Sequence, residues 1–148
     1  MKLYMDACCL NRPFDDQSQD RIRLEAEAVL LIIQRCLDRE WIWYGSEVLS
    51  YELEQIPDAD RWQKVRQLAK YLQIQIKLDA GITIRAQALS EIGFAAYDAL
   101  HIACAEEAEV DIFLTTDDRL IKLADRNPGK IQVRISNPLP WISEVMKE

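Results

Sequence analysis

The chain has 148 residues and carries 18 basic against 25 acidic side chains, a net charge of −7 at pH 7. That length suits one domain, residues 1–148, with a real core and is short for two, and a composition 49% hydrophobic and 29% charged excludes disorder, collagen and coiled coil. Four glycines and five prolines disfavour a turn-rich sandwich, and the longest apolar run, residues 28–33, is far too short to cross a bilayer.

Residues 2–5 read as a strand ending at Asp6, followed by a polar loop over 11–19. From 20 to 40 apolar residues recur at spacings of three and four, a helix. Residues 41–44 are aromatic and β-favouring, a second strand. Ser46 then caps a helix that runs to about 56, where Pro57 stops it, and Asp58 caps another reaching about 71. Residues 72–78 alternate as a strand, and 79–92 form a helix closed by Gly93. The stretch 95–108 is apolar nearly all round and predicts a buried helix. A strand over 111–115, a helix over 117–126, a turn at 127–129, an alternating strand over 131–135 and a helical turn at 141–146 complete the chain. Strands alternating with helices predict an α/β fold with a mainly parallel sheet covered on both faces. Ligands of such sheets sit beyond the carboxyl ends of the strands, which directs attention to acids placed there.

Asp6 also interrupts any apolar stretch a secretion signal would need, so a cytoplasmic protein is expected. Cys8, Cys9, Cys36 and Cys104 form no C-x-x-C pair and there is one histidine, which supplies a structural zinc site poorly. Free thiols so scattered read as small buried hydrophobes. The acidic balance excludes a nonspecific nucleic-acid coat, but it does not exclude an enzyme holding divalent cations among carboxylates.

Two acids follow strands: Asp6, and Asp117 after the 111–115 strand. Asp117 also suits the N-cap of the next helix, whereas no helix is predicted directly after Asp6, whose desolvation then needs a partner. Asp98 opens the buried helix on the side of Ile102 and Ala105; the helix dipole offers it only roughly 0.3–1 kcal/mol, less than a buried carboxylate costs. On the helix after Ser46, roughly 100° per residue puts Leu53, Ile56 and Glu52 within about 60° of Leu49, and Glu47 and Glu54 on the opposite face. Glu52 is therefore the acid facing inward. Four carboxylates at one sheet edge repel one another unless a hard cation, Mg²⁺ or Mn²⁺, lies between them. Such an ion suits hydrolysis of phosphodiesters.

Together these residues resemble a PIN-domain ribonuclease: the strand ending in Asp6, the Ser46 to Leu53 segment, Tyr97-Asp98-Ala-Leu-His-Ile-Ala-Cys-Ala105, and Leu114-Thr-Thr-Asp-Asp118. The resemblance implies a three-layer α/β/α domain in which Asp6, Glu52, Asp98 and Asp117 hold Mg²⁺ or Mn²⁺ and cleave RNA. It places the Thr115 hydroxyl in support of those acids. The family's small polar residue two positions after the first acid is replaced here by Cys8, with Asn11 as a substitute. Small members of this kind are often homodimeric toxins of toxin–antitoxin pairs (VapC-like), which implies an antitoxin partner.

Among other residues, His101 reads as a hydrogen-bonded packed histidine, and Asp118 as a helix-start residue or a support to the acids. Arg119, Lys122 and Arg126 share one helical face after Asp117 and, with Arg12, are candidates for RNA phosphate contacts. Trp41 and Trp43 read as core, Trp141 as core or dimer cover; with Trp62, the first two are also stacking candidates. Two rivals remain. A haloacid-dehalogenase-like phosphatase needs a second Asp where Cys8 stands, and a non-catalytic dimerising or partner-binding module would retain the fold with a degraded site.

Overall fold

The computed structural model describes residues 1–147. Five strands, β1 (Lys2–Met5), β2 (Ile42–Ser46), β3 (Ile74–Ile76), β4 (Ile112–Leu114) and β5 (Ile135–Ser136), form one sheet in the order β3-β2-β1-β4-β5. Every pairing is parallel, with Tyr4 opposite Tyr44 on one side and Phe113 on the other. The helices are α1 (Ala7–Asn11), α2 (Asp20–Leu37), α3 (Glu47–Glu54), α4 (Ala59–Ala69), α5 (Ala80–Ile92), α6 (Ala96–Glu107), α7 (Asp118–Asp125) and α8 (Pro138–Met146). Among the described residues no helix is long and apolar enough to cross a membrane.

The pleat divides the core in two. Leu3, Met5, Ile112 and Leu114 point to one face, where Val29, Ile32 and Ile33 of α2, Val65 of α4 and Ile142 of α8 cover them. Tyr4 and Phe113 point to the other, under Ile82 and Leu89 of α5, Ile102 of α6 and Leu120 of α7. Both faces of the central strands are buried, as a parallel sheet with helical crossovers requires. Trp43 lies in the first core, and Trp41 packs there on Trp141, with ring centroids 5.1 Å apart. Trp141 is thus core, only 2% exposed.

Several local expectations are corrected. A helix does begin directly after Asp6: α1 turns Cys9 and Leu10 inward, and Asp6 caps it by accepting from the Cys9 amide. Asn11 ends that helix and Arg12–Phe14 make a 3-10 turn, so the polar loop is shorter than 11–19. The helix predicted over 20–40 stops at Leu37, and the second strand runs Ile42–Ser46 rather than 41–44.

Of the strand predicted over 72–78 only Ile74–Ile76 joins the sheet, because Leu72 folds over the sheet at Gly45. A Cβ at position 45 would lie 2.1 Å from Leu72 Cδ1, which is why a glycine stands there. Of the strand predicted over 131–135, only the end pairs. Ile131 and Val133 alternate inward, but the Gln132 amide donates to Glu106 instead of to a neighbouring strand. The terminal helical turn begins earlier, at Pro138, behind an Asn137 cap.

Candidate metal centre

Strand order changes direction beside β1: the chain moves outward to β2 and β3, then returns to β4 on the other side. The crevice at the carboxyl ends of β1 and β4 is therefore the place where this class of sheet binds ligands. Asp6 follows β1 directly, and its amide donates to Leu114 O at the end of β4. Thr115 and Thr116 extend β4 to Asp117, which caps α7 by accepting from the Arg119 and Leu120 amides. Both roles weighed for Asp117 are thus compatible, since one oxygen caps the helix at the mouth of the crevice.

Asp6 is 4% exposed and accepts from the Cys8 thiol at 2.8 Å and the Cys9 amide at 3.4 Å. Burial, above all, pushes its carboxyl well above the ordinary carboxylate range, and the adjoining Cys8 adds to this. Cys8 is not the buried hydrophobe expected from its spacing. It is half-buried, its sulfur accepts from the Thr116 amide at 3.3 Å, and it lies 3.3 Å from Thr115 Oγ1. Hydrogen bonding, from Cys9 first and then from Asp6, Thr115 and Thr116, draws the Cys8 thiol down to about 5 against the cost of its burial. The other thiols behave as expected: Cys9, Cys36 and Cys104 are buried.

Asp98 sits in the first turn of α6, half-buried. Desolvation raises its carboxyl from 3.8 to about 6; repulsion from Asp117, then from Cys8 and Glu52, adds to the rise, while His101 opposes it. Asp98 and Asp117 together line a cleft of about 360 Å³ with Phe94, Arg119, Leu120, Leu123 and Arg126. Among the described residues no lysine or arginine forms an ion pair with Asp6, Asp98 or Asp117. Buried acids left without a cationic side chain are what a divalent cation site presents, and oxygen donors suit a hard ion.

Glu52 projects from α3, which the Ser46 cap starts at the end of β2. It is half-buried, whereas Glu47 and Glu54 are exposed, as the helical count predicts. Its Oε1 lies 2.7 Å from His101 Nε2, and His101 Nδ1 lies 2.6 Å from the Tyr4 hydroxyl, itself 2.7 Å from Ser46 Oγ. A carboxylate only accepts, so Nε2 carries the proton that it donates to Glu52; in the neutral ring with that tautomer, Nδ1 accepts from Tyr4. Ser46 donates to Tyr4 while its oxygen accepts from the Leu49 amide. A one-way donor chain thus runs from the α3 cap to Glu52, and His101 is the packed, hydrogen-bonded residue its position suggested. Tyr4 and Ser46 were not singled out beyond strand and cap. The signal was present: a tyrosine in a strand buried on both faces needs a partner for its hydroxyl.

The remaining candidates separate. Thr115 is fully buried, and its hydroxyl accepts from the Asp117 amide as well as meeting Cys8. Asn11 turns away from Asp6: its side chain donates to Ala7 O and accepts from Arg61. Asp118 pairs outward with Arg21 of α2 at 2.7 Å. Arg12 is engaged by Asp15 and by the buried Glu25, its Nε 2.9 Å from Glu25 Oε1. Of the basic candidates, Arg119 faces the cleft with Arg126, and Lys122 is exposed one turn along the same helix.

Comparison with known proteins agrees with this fold. The family model described as PIN domain matches residues 3–126. No curated protein matches the sequence. Among solved structures, a chain of the Rickettsia felis VapBC2 crystal structure, bound to a DNA fragment from the promoter, superposes with a TM-score of 0.59 at 16% identity, covering 93% of this chain and 98% of that one. PAE2754 from Pyrobaculum aerophilum gives a TM-score of 0.57 at 14% identity, with both chains covered completely.

Proposed function

This chain belongs to the PIN-domain family, and from that premise we propose that it is a metal-dependent endoribonuclease that hydrolyses RNA phosphodiester bonds, the toxin of a toxin–antitoxin pair. One observation carries the reading: Asp6, Asp98 and Asp117 stand at the switch point of the sheet and, among the described residues, none is ion-paired to a lysine or arginine, while Asp98 is raised to about 6. Asp6, Asp98 and Asp117, with Glu52, are the residues that would hold Mg²⁺ or Mn²⁺. Such an ion, when bound, would supply Lewis-acid chemistry at that edge, activating water at neutral pH and offsetting charge on the phosphoryl group.

The protein's own groups supply position. Glu52 accepts a proton from the attacking water or orients it, and the His101 bond fixes its carboxylate for that task. Thr115 braces both the Asp117 backbone and Cys8. Arg119 and Lys122, with Arg126, hold backbone phosphates along the cleft. Arg12, already paired with Glu25 and Asp15, serves the loop rather than the substrate. The likeness to a chain of a VapBC complex supports an antitoxin protein as partner; a homodimer as the resting assembly belongs to the same proposal and rests on the family resemblance alone.

The test is cleavage of a mixed single-stranded RNA pool with Mg²⁺, with Mn²⁺ and with EDTA, using the wild type beside Asp6→Asn and Asp98→Asn. Cleavage that needs the ion and both acids is expected. Cleavage that persists in EDTA or in both variants overturns the mechanism. Cys8, standing where the family has a small polar residue, favours one second reading, a partner-binding module that keeps the fold without activity. Complete inactivity of the wild type on the pool would support it.

A further inference from the structure

We propose that Asp6, Cys8 and Cys9 form a binding site for a thiophilic divalent cation of the zinc class, an inference that rests on reading this sheet edge as a cation site. The donor atoms of the three side chains all lie within 4.8 Å of one another, and among the described residues no other group of three histidine, cysteine or acidic side chains is so compact. Asp6 is 4% exposed and pairs with no lysine or arginine among the described residues, its carboxylate accepting instead from the Cys8 thiol and the Cys9 amide. The Cys8 sulfur is already oriented toward Asp6, held on its other side by the Thr116 amide and the Thr115 hydroxyl.

The donor set decides the kind of ion. Thiolates select zinc and its softer relatives, whereas Mg²⁺ and Mn²⁺ seek oxygen. A tetrahedral zinc, with Zn–S near 2.3 Å and Zn–O near 2.1 Å, spaces its donors about 3.5–3.8 Å apart. Three protein donors leave a fourth position for water or a phosphate oxygen. Each thiol that becomes a ligand gives its proton to solvent, with no change of oxidation state. Because Asp6 also belongs to the carboxylate site, a thiophilic ion here competes with a hard one. The replacement of a hydroxyl or amide by Cys8 then changes which metal this chain accepts.

Cd²⁺ is the probe. Reduced, metal-free full-length protein is titrated with Cd²⁺ while the ultraviolet sulfur-to-cadmium charge-transfer band is recorded, and Mn²⁺ binding is followed separately by electron paramagnetic resonance. The band should saturate at about one ion per chain and be displaced by Zn²⁺. Cys8→Ser should abolish most of it, although Cys36 and Cys104 remain, and Cys9→Ser should remove about half. Asp6→Asn should weaken Cd²⁺ binding at least tenfold. A wild type without the band, or a Cys8→Ser variant that keeps it in full, overturns the proposal. Thermal melting of each variant verifies folding, and the conservative Cys8→Ser change decides alone if Cys9→Ser does not fold. Mn²⁺ binding lost with the cadmium band intact would refute the hydrolase reading instead, so the two failures are distinguishable.

Discussion

Removing the charge of Asp98 is predicted to stabilise the metal-free protein. Its carboxyl is raised from 3.8 to about 6, chiefly by desolvation and then by Asp117. At about 1.36 kcal/mol per pH unit that displacement corresponds to about 3 kcal/mol, and the partial exposure of the side chain halves it to about 1.5 kcal/mol. The folded state holds its proton more tightly than the unfolded one, so this cost is absent below about pH 4, grows as pH rises, and is complete above about pH 6. Asp98→Asn keeps the shape and removes the charge. In EDTA at pH 7.5 its Tm should exceed the wild type's by roughly 3–6 °C, and at pH 4 the two should coincide.

Saturating Mn²⁺ should reverse the order, because only the wild type retains the full set of acids for the ion; a tenfold excess over Kd alone stabilises by about 1.4 kcal/mol. Differential scanning calorimetry in EDTA and in Mn²⁺ at the two pH values measures all four quantities. A variant less stable than the wild type in EDTA at pH 7.5, or equally stabilised at pH 4, would show that Asp98 is not held against its neighbours. The cation argument would then lose its main support.

Three further outcomes are expected. Glu52→Gln should lower RNA cleavage by roughly 10²-fold while the exposed Glu47→Gln leaves it unchanged, and equal loss from both would refute the assignment of helix faces. His101→Ala removes one of the two partners of the buried Tyr4 hydroxyl, leaving Ser46, and frees Glu52, and should cost about 2–3 kcal/mol in urea unfolding; a cost below about 0.5 kcal/mol would mean that the donor chain contributes little. Arg119→Ala, beside the cleft, should raise KM and flatten its salt dependence with kcat little changed, and a fall confined to kcat would place the arginine at the reacting phosphate instead.

The helices that matter most to the site were legible because their signals are local. Ser46, Asp58 and Asp117 each cap the helix that their sequence position announces, and Asp79, read as the first residue of its helix, caps it instead. Apolar spacing on the helix after Ser46 was enough to choose Glu52 over Glu47 and Glu54, since a regular helix fixes relative angles along itself. Short elements were less legible. The five-residue α1 offers too little periodicity to be recognised, and Asp6 was therefore denied the capping role that it has. Alternation over 131–135 records burial correctly but not pairing, because side chains of a covering segment alternate as those of a strand do.

The amino-acid sequence by itself determined an alternating α/β chain, its inward acids and its family resemblance, because patterning and caps act over a few residues. Only the tertiary structure decided that β1 lies between β2 and β4, that Arg12 and Asp118 are tied to Glu25 and Arg21, and that the Cys8 thiol bonds to Asp6. It also joined Ser46, Tyr4, His101 and Glu52 across a separation of up to 97 residues between bonded partners. Such contacts depend on strand register and on competition among several donors for one acceptor. Neither is encoded at any single position in the chain.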